Sequence, residues 1–276
     1  MFPPKKILFP VDFSERCDSA ARMVETFTGH FEAELTLAYV LEPRTYNDII
    51  VDAAGVSEQQ LGAYLADELK QFEVRRVMLD GDPARAITQY AHSRGFDLIM
   101  LPTHGYGAFR RLILGSVTAK ILHEAMCPVW TGVHMEQVPR LEDIAMRKIV
   151  CAVDLGKQSC PTLSWATRFA GEFGAELVVV HAVPDEPEPG EGSERFREEL
   201  ILDASRKIAG MQESLGSEGK VLVVAGDAAE TVCACAGQEK ADLLVIGRSV
   251  TGGLIGRLRE NAYSIIRQSP CPVVSV

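Results

Sequence analysis

No stretch of this 276-residue chain approaches the roughly 18 consecutive apolar residues of a membrane-spanning helix. The opening segment MFPPKKILFPVDFS has two lysines and a short apolar run, but Asp12 interrupts it, so it reads as a strand rather than a secretory leader. A basic surplus is also missing. The net charge is -10, with 20 acids against 14 bases in residues 1–145 and 18 against 14 in residues 146–276. Both halves are acidic, which excludes nucleic acid as a main partner but leaves room for a small anion held by a local basic loop. The P-loop pattern GxxxxGK[ST] and a GxGxxG at the first strand–helix turn are absent, as is any Ser-His-Asp or Cys-His arrangement of defined spacing. The seven cysteines are scattered among apolar neighbours, and Cys233 and Cys235 stand one residue too close for a CxxC site. They read as small hydrophobes of a reducing, cytoplasmic protein, with no structural metal.

What is present is a duplication. KKILFPVDFS (Lys5 to Ser14) matches RKIVCAVDLG (Arg147 to Gly156), and AELTLAYVLEP (Ala33 to Pro43) matches AELVVVHAVPD (Ala175 to Asp185). DGDPARAI matches AGDAAETV, FDLIMLPTHG matches ADLLVIGRSV, and CPVW matches CPVV. The offsets are 142, 142, 145, 145 and 144, which is too long for a solenoid and fits two tandem domains, 1–134 and 146–276. The polar stretch Gly132 to Met146 joins them.

Each half alternates strand and helix. In the first, short apolar runs predict strands at Lys6–Pro10, Leu35–Val40, Val74–Leu79, Leu98–Leu101 and Pro128–Thr131. Helical patterns lie near Ser14–Gly29, Ser57–Phe72, Pro83–Ser93 and Val117–Ala125, with Ser14 and Asp82 as N-caps and Pro83 at a first helical position. The runs lack strict alternation, as in parallel strands covered on both faces. The fold class is therefore α/β, with two doubly wound domains that each carry a five-stranded parallel sheet. Ligands of such sheets bind beyond the carboxyl ends of the strands, where strand order reverses.

Three strand ends matter. Asp12 closes the first strand and the Val40 backbone closes the second. The fourth runs into LPTHGYGAFRRLILGSVTAK, residues Leu101 to Lys120. There Gly105 permits positive φ, and Gly115-Ser116 precedes a helix whose first N–H groups lack internal partners. A phosphate placed there would meet those N–H groups, the Ser116 hydroxyl and a helix dipole worth ~0.3–1 kcal/mol per exposed charge. Arg110 and Arg111 are near in sequence. A plainer reading is open at each position: Ser116 as an N-cap only, Gly105 and Gly107 as turn residues, Asp12 as a cap of the next helix. His104 reads as a hydrogen-bonding loop residue rather than a base.

These segments together resemble the universal stress protein (UspA) family in its tandem two-domain form, over nearly the whole chain. Nucleotide-binding members carry G-x2-G-x9-G-[S/T] after the fourth strand. The first domain keeps Gly105, the nine-residue spacing and Gly115-Ser116, with Pro102 in place of the first glycine. The resemblance implies an adenine nucleotide α-hydrolase-like fold. It places Asp12 and the Val40 backbone at the adenine end of a nucleotide and Pro102 by the ribose. Gly105, Gly115, Ser116 and the Val117 backbone would be on the phosphates, with His104 in the same loop. Pro102 has no N–H to donate. The second domain keeps Asp154 and Gly247, but Val250 replaces the second glycine, and Gly-Ser falls on Glu260-Asn261, or on Arg259-Glu260 counted back from CPVV. With the acidic loop Pro184 to Glu194 beside it, this copy reads as decayed.

The expectation is a cytoplasmic tandem protein that binds one adenine nucleotide, ATP first among them, with or without magnesium, in its first domain, and serves as a stress-response regulatory module. The resemblance also implies pairing of the two domains through their last strands and, between chains, a homodimer. A ligand-free structural or protein-interaction pseudo-dimer and a slow ATP hydrolase are the alternatives. No residue is assigned a catalytic role.

Overall fold

The computed structural model describes residues 2–41, 43–46, 49–52, 58–102, 114–132, 144–185, 193–248 and 256–276. The chain divides into two compact units, Met1–Ile144 and Ala145–Val276. His104, Gly105, Gly107, Arg110, Arg111 and Val250 lie outside the described residues, as do most of the joining stretch and of the acidic loop.

The first unit runs β1 (Lys6–Pro10), α1 (Glu15–Phe31), β2 (Glu34–Leu41), β3 (Pro43–Tyr46), β4 (Ile49–Asp52), α2 (Glu58–Ala63), β5 (Val74–Asp80), α3 (Pro83–Arg94), β6 (Leu98–Pro102), α4 (Ser116–Glu124) and β7 (Val129–Gly132). Its sheet has the order β7-β6-β1-β2-β5, and every neighbouring pair is parallel. The second unit runs β8 (Lys148–Ala152), α5 (Ser159–Phe173), β9 (Glu176–Val183), α6 (Ser193–Leu215), β10 (Lys220–Ala225), α7 (Ala228–Gln238), β11 (Leu243–Ile246), α8 (Gly256–Gln268) and β12 (Val273–Ser275). Its order, β12-β11-β8-β9-β10, is the same and again parallel. In both, the chain winds outward from the first strand, then returns to lay the fourth on its other side. The crevice between first and fourth strands is where ligands of this architecture bind.

The central strands are apolar on both faces because helices cover both. Ile7, Leu8 and Phe9 of β1 and Ile149, Val150 and Cys151 of β8 have no solvent exposure. Each large apolar side chain so buried contributes about 1.5–3 kcal/mol relative to exposure. Helix starts follow local chemistry. Asp82 caps α3 by accepting from Arg85 N, with Pro83 at the first position, and Asp227 caps α7 by accepting from Ala229 N and Glu230 N. Ser14 occupies the N-cap position of α1, but its side chain makes no cap bond.

Two features depart from the sequence expectation. The periodicity predicts a helix over Ser57–Phe72, yet only Glu58–Ala63 is α-helical and turns follow. Leu65 is left-handed, with φ 52°, which ends the helix while keeping Leu65 and Leu69 buried. Arg76 Nη2 donates to the Tyr64 carbonyl at 3.1 Å and satisfies one group that the break releases. The second departure is the antiparallel β3–β4 pair, which is not among the expected strands.

A repeated carboxylate clamp fixes the start of the first strand against the turn entering the fourth. Asp97 Oδ2 accepts from Lys5 N (3.0 Å) and Lys6 N (3.1 Å). Asp242 Oδ2 accepts from Arg147 N (2.7 Å) and Lys148 N (2.9 Å). Charge-assisted bonds of this kind contribute about 1.5–3 kcal/mol when sheltered, less when exposed. Asp242→Ala is expected to lower the unfolding free energy by about 1–3 kcal/mol in urea titration; an unchanged midpoint would contradict the clamp.

Candidate functional site

In the first unit, Asp12 follows β1 and turns back onto the start of α1. Its Oδ1 accepts from Ser14 N at 3.0 Å and from Cys17 Sγ at 3.2 Å. The tight turn puts Phe13 at φ 59°, a conformation that costs a non-glycine residue of order 1–3 kcal/mol. Ring packing helps hold it there: Phe13 lies 5.2 Å from Tyr39 and 4.7 Å from Tyr64, centroid to centroid. Tyr64 in turn donates to Asp18 Oδ1 at 2.6 Å. Burial and the adjacent Asp12 push the Cys17 thiol well above its ordinary pKa, so it is a packed, unreactive group. Val40 is half-buried near the end of β2, paired with Leu79 of β5.

Across the crevice, Pro102 ends β6, in register with Gly132 of β7. The chain re-enters the described residues just before α4. Gly115 is the N-cap residue, with φ -58° and ψ 145°, and no side chain caps this helix. Ala119 N bonds back to Gly115 O at 2.8 Å, so the N–H groups of Ser116, Val117 and Thr118 precede the first intrahelical bond. Ser116 is exposed. The one nearby lysine on this helix, Lys120, is paired with Asp82 at 3.2 Å. The structure thus describes Asp12, Val40, Pro102, Gly115, Ser116 and Val117; His104 and Gly105 fall outside it.

The second unit repeats the strand-end turn with different atoms. Asp154 Oδ1 accepts from Gly156 N (2.8 Å) and Ser159 Oγ (2.9 Å), and Leu155 has φ 60°. Beside it lies a cleft of about 350 Å³ at the carboxyl ends of β8, β9 and β11, whose lining includes Asp154, Thr162, His181, Gly247 and Asn261. His181 takes the position of Tyr39, and its Nδ1 is 2.8 Å from the Val153 carbonyl. A carbonyl only accepts, so Nδ1 carries a proton and donates it to Val153 O. Gly247 is a close-approach glycine: a Cβ there would stand 2.8 Å from Thr162 Oγ1. The first-unit residue matching Thr162 is Ala20, which has no hydroxyl, and there the chain carries Pro102 instead of glycine.

The helices after the fourth strands differ in length at one end only. Gln268 of α8 aligns with Glu124 of α4 at the 144-residue offset, but α8 begins at Gly256, giving 13 residues against 9. The extra four residues are about one turn. Arg259, Glu260 and Asn261, which align with Gly115, Ser116 and Val117, therefore lie within α8 rather than at its first residue. Of the two sequence counts, the 144-residue offset corresponds to Arg259-Glu260 at the Gly-Ser position.

The sequence signature of the Universal stress protein family matches residues 3–131 and again 146–276. The chain belongs to that family, in its tandem form. A universal stress protein of Mycobacterium tuberculosis is 24% identical over 302 residues, covering 99% of this chain and 98% of the relative. One from Methanocaldococcus jannaschii is 28% identical over 149 residues, covering 45% of this chain and 92% of the relative. The solved universal stress protein of Archaeoglobus fulgidus has the same fold, with a TM-score of 0.70 at 20% identity over 98% of this chain and 95% of that one.

Among the described residues there is no group of three or more His, Cys, Asp or Glu side chains able to hold a metal ion, and no helix long and apolar enough to cross a membrane. The positive-φ residues Phe13 and Leu155, the Phe13–Tyr39–Tyr64 cluster and the tautomer of His181 are features that the residue patterns did not single out. Their signal is the repeated VDFS and VDLG, read as a turn in which the aspartate binds the N–H two residues on. Gly247→Ala is expected to lose about 1–3 kcal/mol in a denaturant titration, since Thr162 or the strand end must shift. Gly247→Ala combined with Thr162→Ala is expected to recover most of it; a single substitution without effect would contradict the close approach.

Proposed function

We propose that this tandem universal stress protein binds one adenine nucleotide, ATP, in the first unit and acts as a nucleotide-responsive regulatory module. The observation that carries the reading is the uncapped start of α4 at Gly115-Ser116, beside the crevice where strand order reverses. Asp12 and the Val40 backbone take the adenine end, and Pro102 lines the ribose without an N–H to offer. Gly105, Gly115, Ser116 and the Val117 backbone are assigned to the phosphates, with His104 in the same loop of the sequence. Backbone N–H groups and the helix dipole supply the attraction, as at other helix-start anion sites. The reading assigns binding residues and no catalytic one; slow ATP hydrolysis is the alternative.

Isothermal titration with ATP is expected to give one site per chain. Gly115→Glu adds bulk and negative charge at the phosphates and is expected to weaken binding at least tenfold, about 1.4 kcal/mol. Asp154→Ala is expected to leave it unchanged. A stoichiometry of two, or loss of binding in Asp154→Ala with survival in Gly115→Glu, would place the nucleotide in the other unit.

A further inference from the structure

The amino ends of the first unit's strands, opposite the crevice, carry a charge arrangement that the second unit does not repeat. In the second unit four side chains at this end alternate in sign. Lys148 Nζ lies 3.0 Å from Glu176 and 3.2 Å from Glu239, and Lys220 Nζ lies 2.6 Å from Glu239. Glu239 is held between two lysines, and its bonds to Lys220 and Lys148 keep its carboxyl below the usual range. At the repeat offsets of 142 and 145 residues, the first unit has Glu34 for Glu176, Lys6 for Lys148 and Arg75 for Lys220, but Arg94 for Glu239. The strand registers agree. Lys6 pairs with Glu34 as Lys148 pairs with Glu176, and Arg75 pairs with Thr36 as Lys220 pairs with Val178. The central member of the network has therefore changed sign.

Lys6, Arg75 and Arg94 make no ion pair among the described residues. Arg94 lies instead over the Tyr90 ring, 5.9 Å from its centroid. All three cations line one groove of about 990 Å³, at the upper end of the ~300–1,000 Å³ range of ligand pockets. Half-buried Phe72, Tyr90 and Phe96 give it aromatic walls, and the exposed carboxylates Glu32, Glu34 and Glu73 line it too.

We propose that this groove binds a peptide segment through one acidic side chain, whose carboxylate takes, among Lys6, Arg75 and Arg94, the place that Glu239 fills in the second unit. Guanidinium groups meet a carboxylate through paired N–H donors, which suits two arginines to this role. The rings offer apolar faces to the residues beside the acid. The three glutamates balance the three cations, so a run of acids or a phosphate dianion meets repulsion that a single carboxylate with basic flanks does not. The groove is also larger than a free amino acid needs. This site lies at the opposite end of the strands from the nucleotide crevice and does not depend on the ATP assignment.

The probes are the peptides acetyl-Lys-Phe-Glu-Phe-Lys-amide and acetyl-Lys-Phe-Gln-Phe-Lys-amide, which differ only in the carboxylate. The readout is the backbone amide resonances of Arg75 and Phe96 in the full chain. The glutamate peptide is expected to shift them saturably, with the glutamine peptide at least tenfold weaker. Arg94→Glu, which installs the residue of the second unit, is expected to abolish the shift while the circular dichroism spectrum stays native, and Arg94→Lys to retain it. No saturable shift at millimolar glutamate peptide, an equal response to the glutamine peptide or to inorganic phosphate, or a shift that survives Arg94→Glu overturns the proposal. Failure of ATP to bind the first unit would leave these outcomes untouched.

Discussion

Where the helix after the fourth strand begins decides what each crevice can hold. A parallel sheet that winds out and returns must leave a gap between its first and fourth strands, and the backbone groups facing that gap set its chemistry. An unextended helix presents three unpaired N–H groups there, as α4 does from Ser116 to Thr118. One extra turn, as in α8, turns the equivalent groups into intrahelical donors. The change is a few residues long, yet it alters which backbone donors stand at that point of the chain.

The rest of each unit holds that gap open in a fixed shape. Asp97 and Asp242 tie first strand to fourth at the far end. Asp12 and Asp154 turn the chain sharply away from the near end, at the cost of a left-handed residue that follows each. Phe13 is held there by Tyr39 and Tyr64. In the second unit, His181 replaces the first of these tyrosines and gives its Nδ1 proton to the backbone. The same backbone thus carries a phenol ring in one copy and an imidazole in the other.

The sheet is legible in the sequence because buried parallel strands are nearly continuous apolar runs, and because each run occurs twice. The duplication also points to Asp12 and Asp154. Less is legible where local and tertiary preferences compete. The segment after Ala63 has helical periodicity, but Leu65 leaves the helix, and the carbonyl of Tyr64 finds Arg76 from a neighbouring strand. The start of α8 is hidden for a similar reason. Counting residues from a glycine pattern assumes a constant loop length, whereas the stretch from fourth to fifth strand is one residue shorter in the second unit and the helix within it is one turn longer. Orientation of polar hydrogens in the second cleft depends on contacts such as His181 with Val153 that no linear pattern encodes.

The central claim is that the two helix starts differ in whether their amides are already bonded. Amide hydrogen exchange with and without ATP tests it directly, since exchange reports local hydrogen bonding. Val117 and Thr118 are expected to exchange rapidly in the free protein and to gain protection with ATP, while Glu260 and Asn261 are protected in both states. Rapid exchange at Glu260 and Asn261 that slows on adding ATP, with Val117 and Thr118 unaffected, would contradict the account.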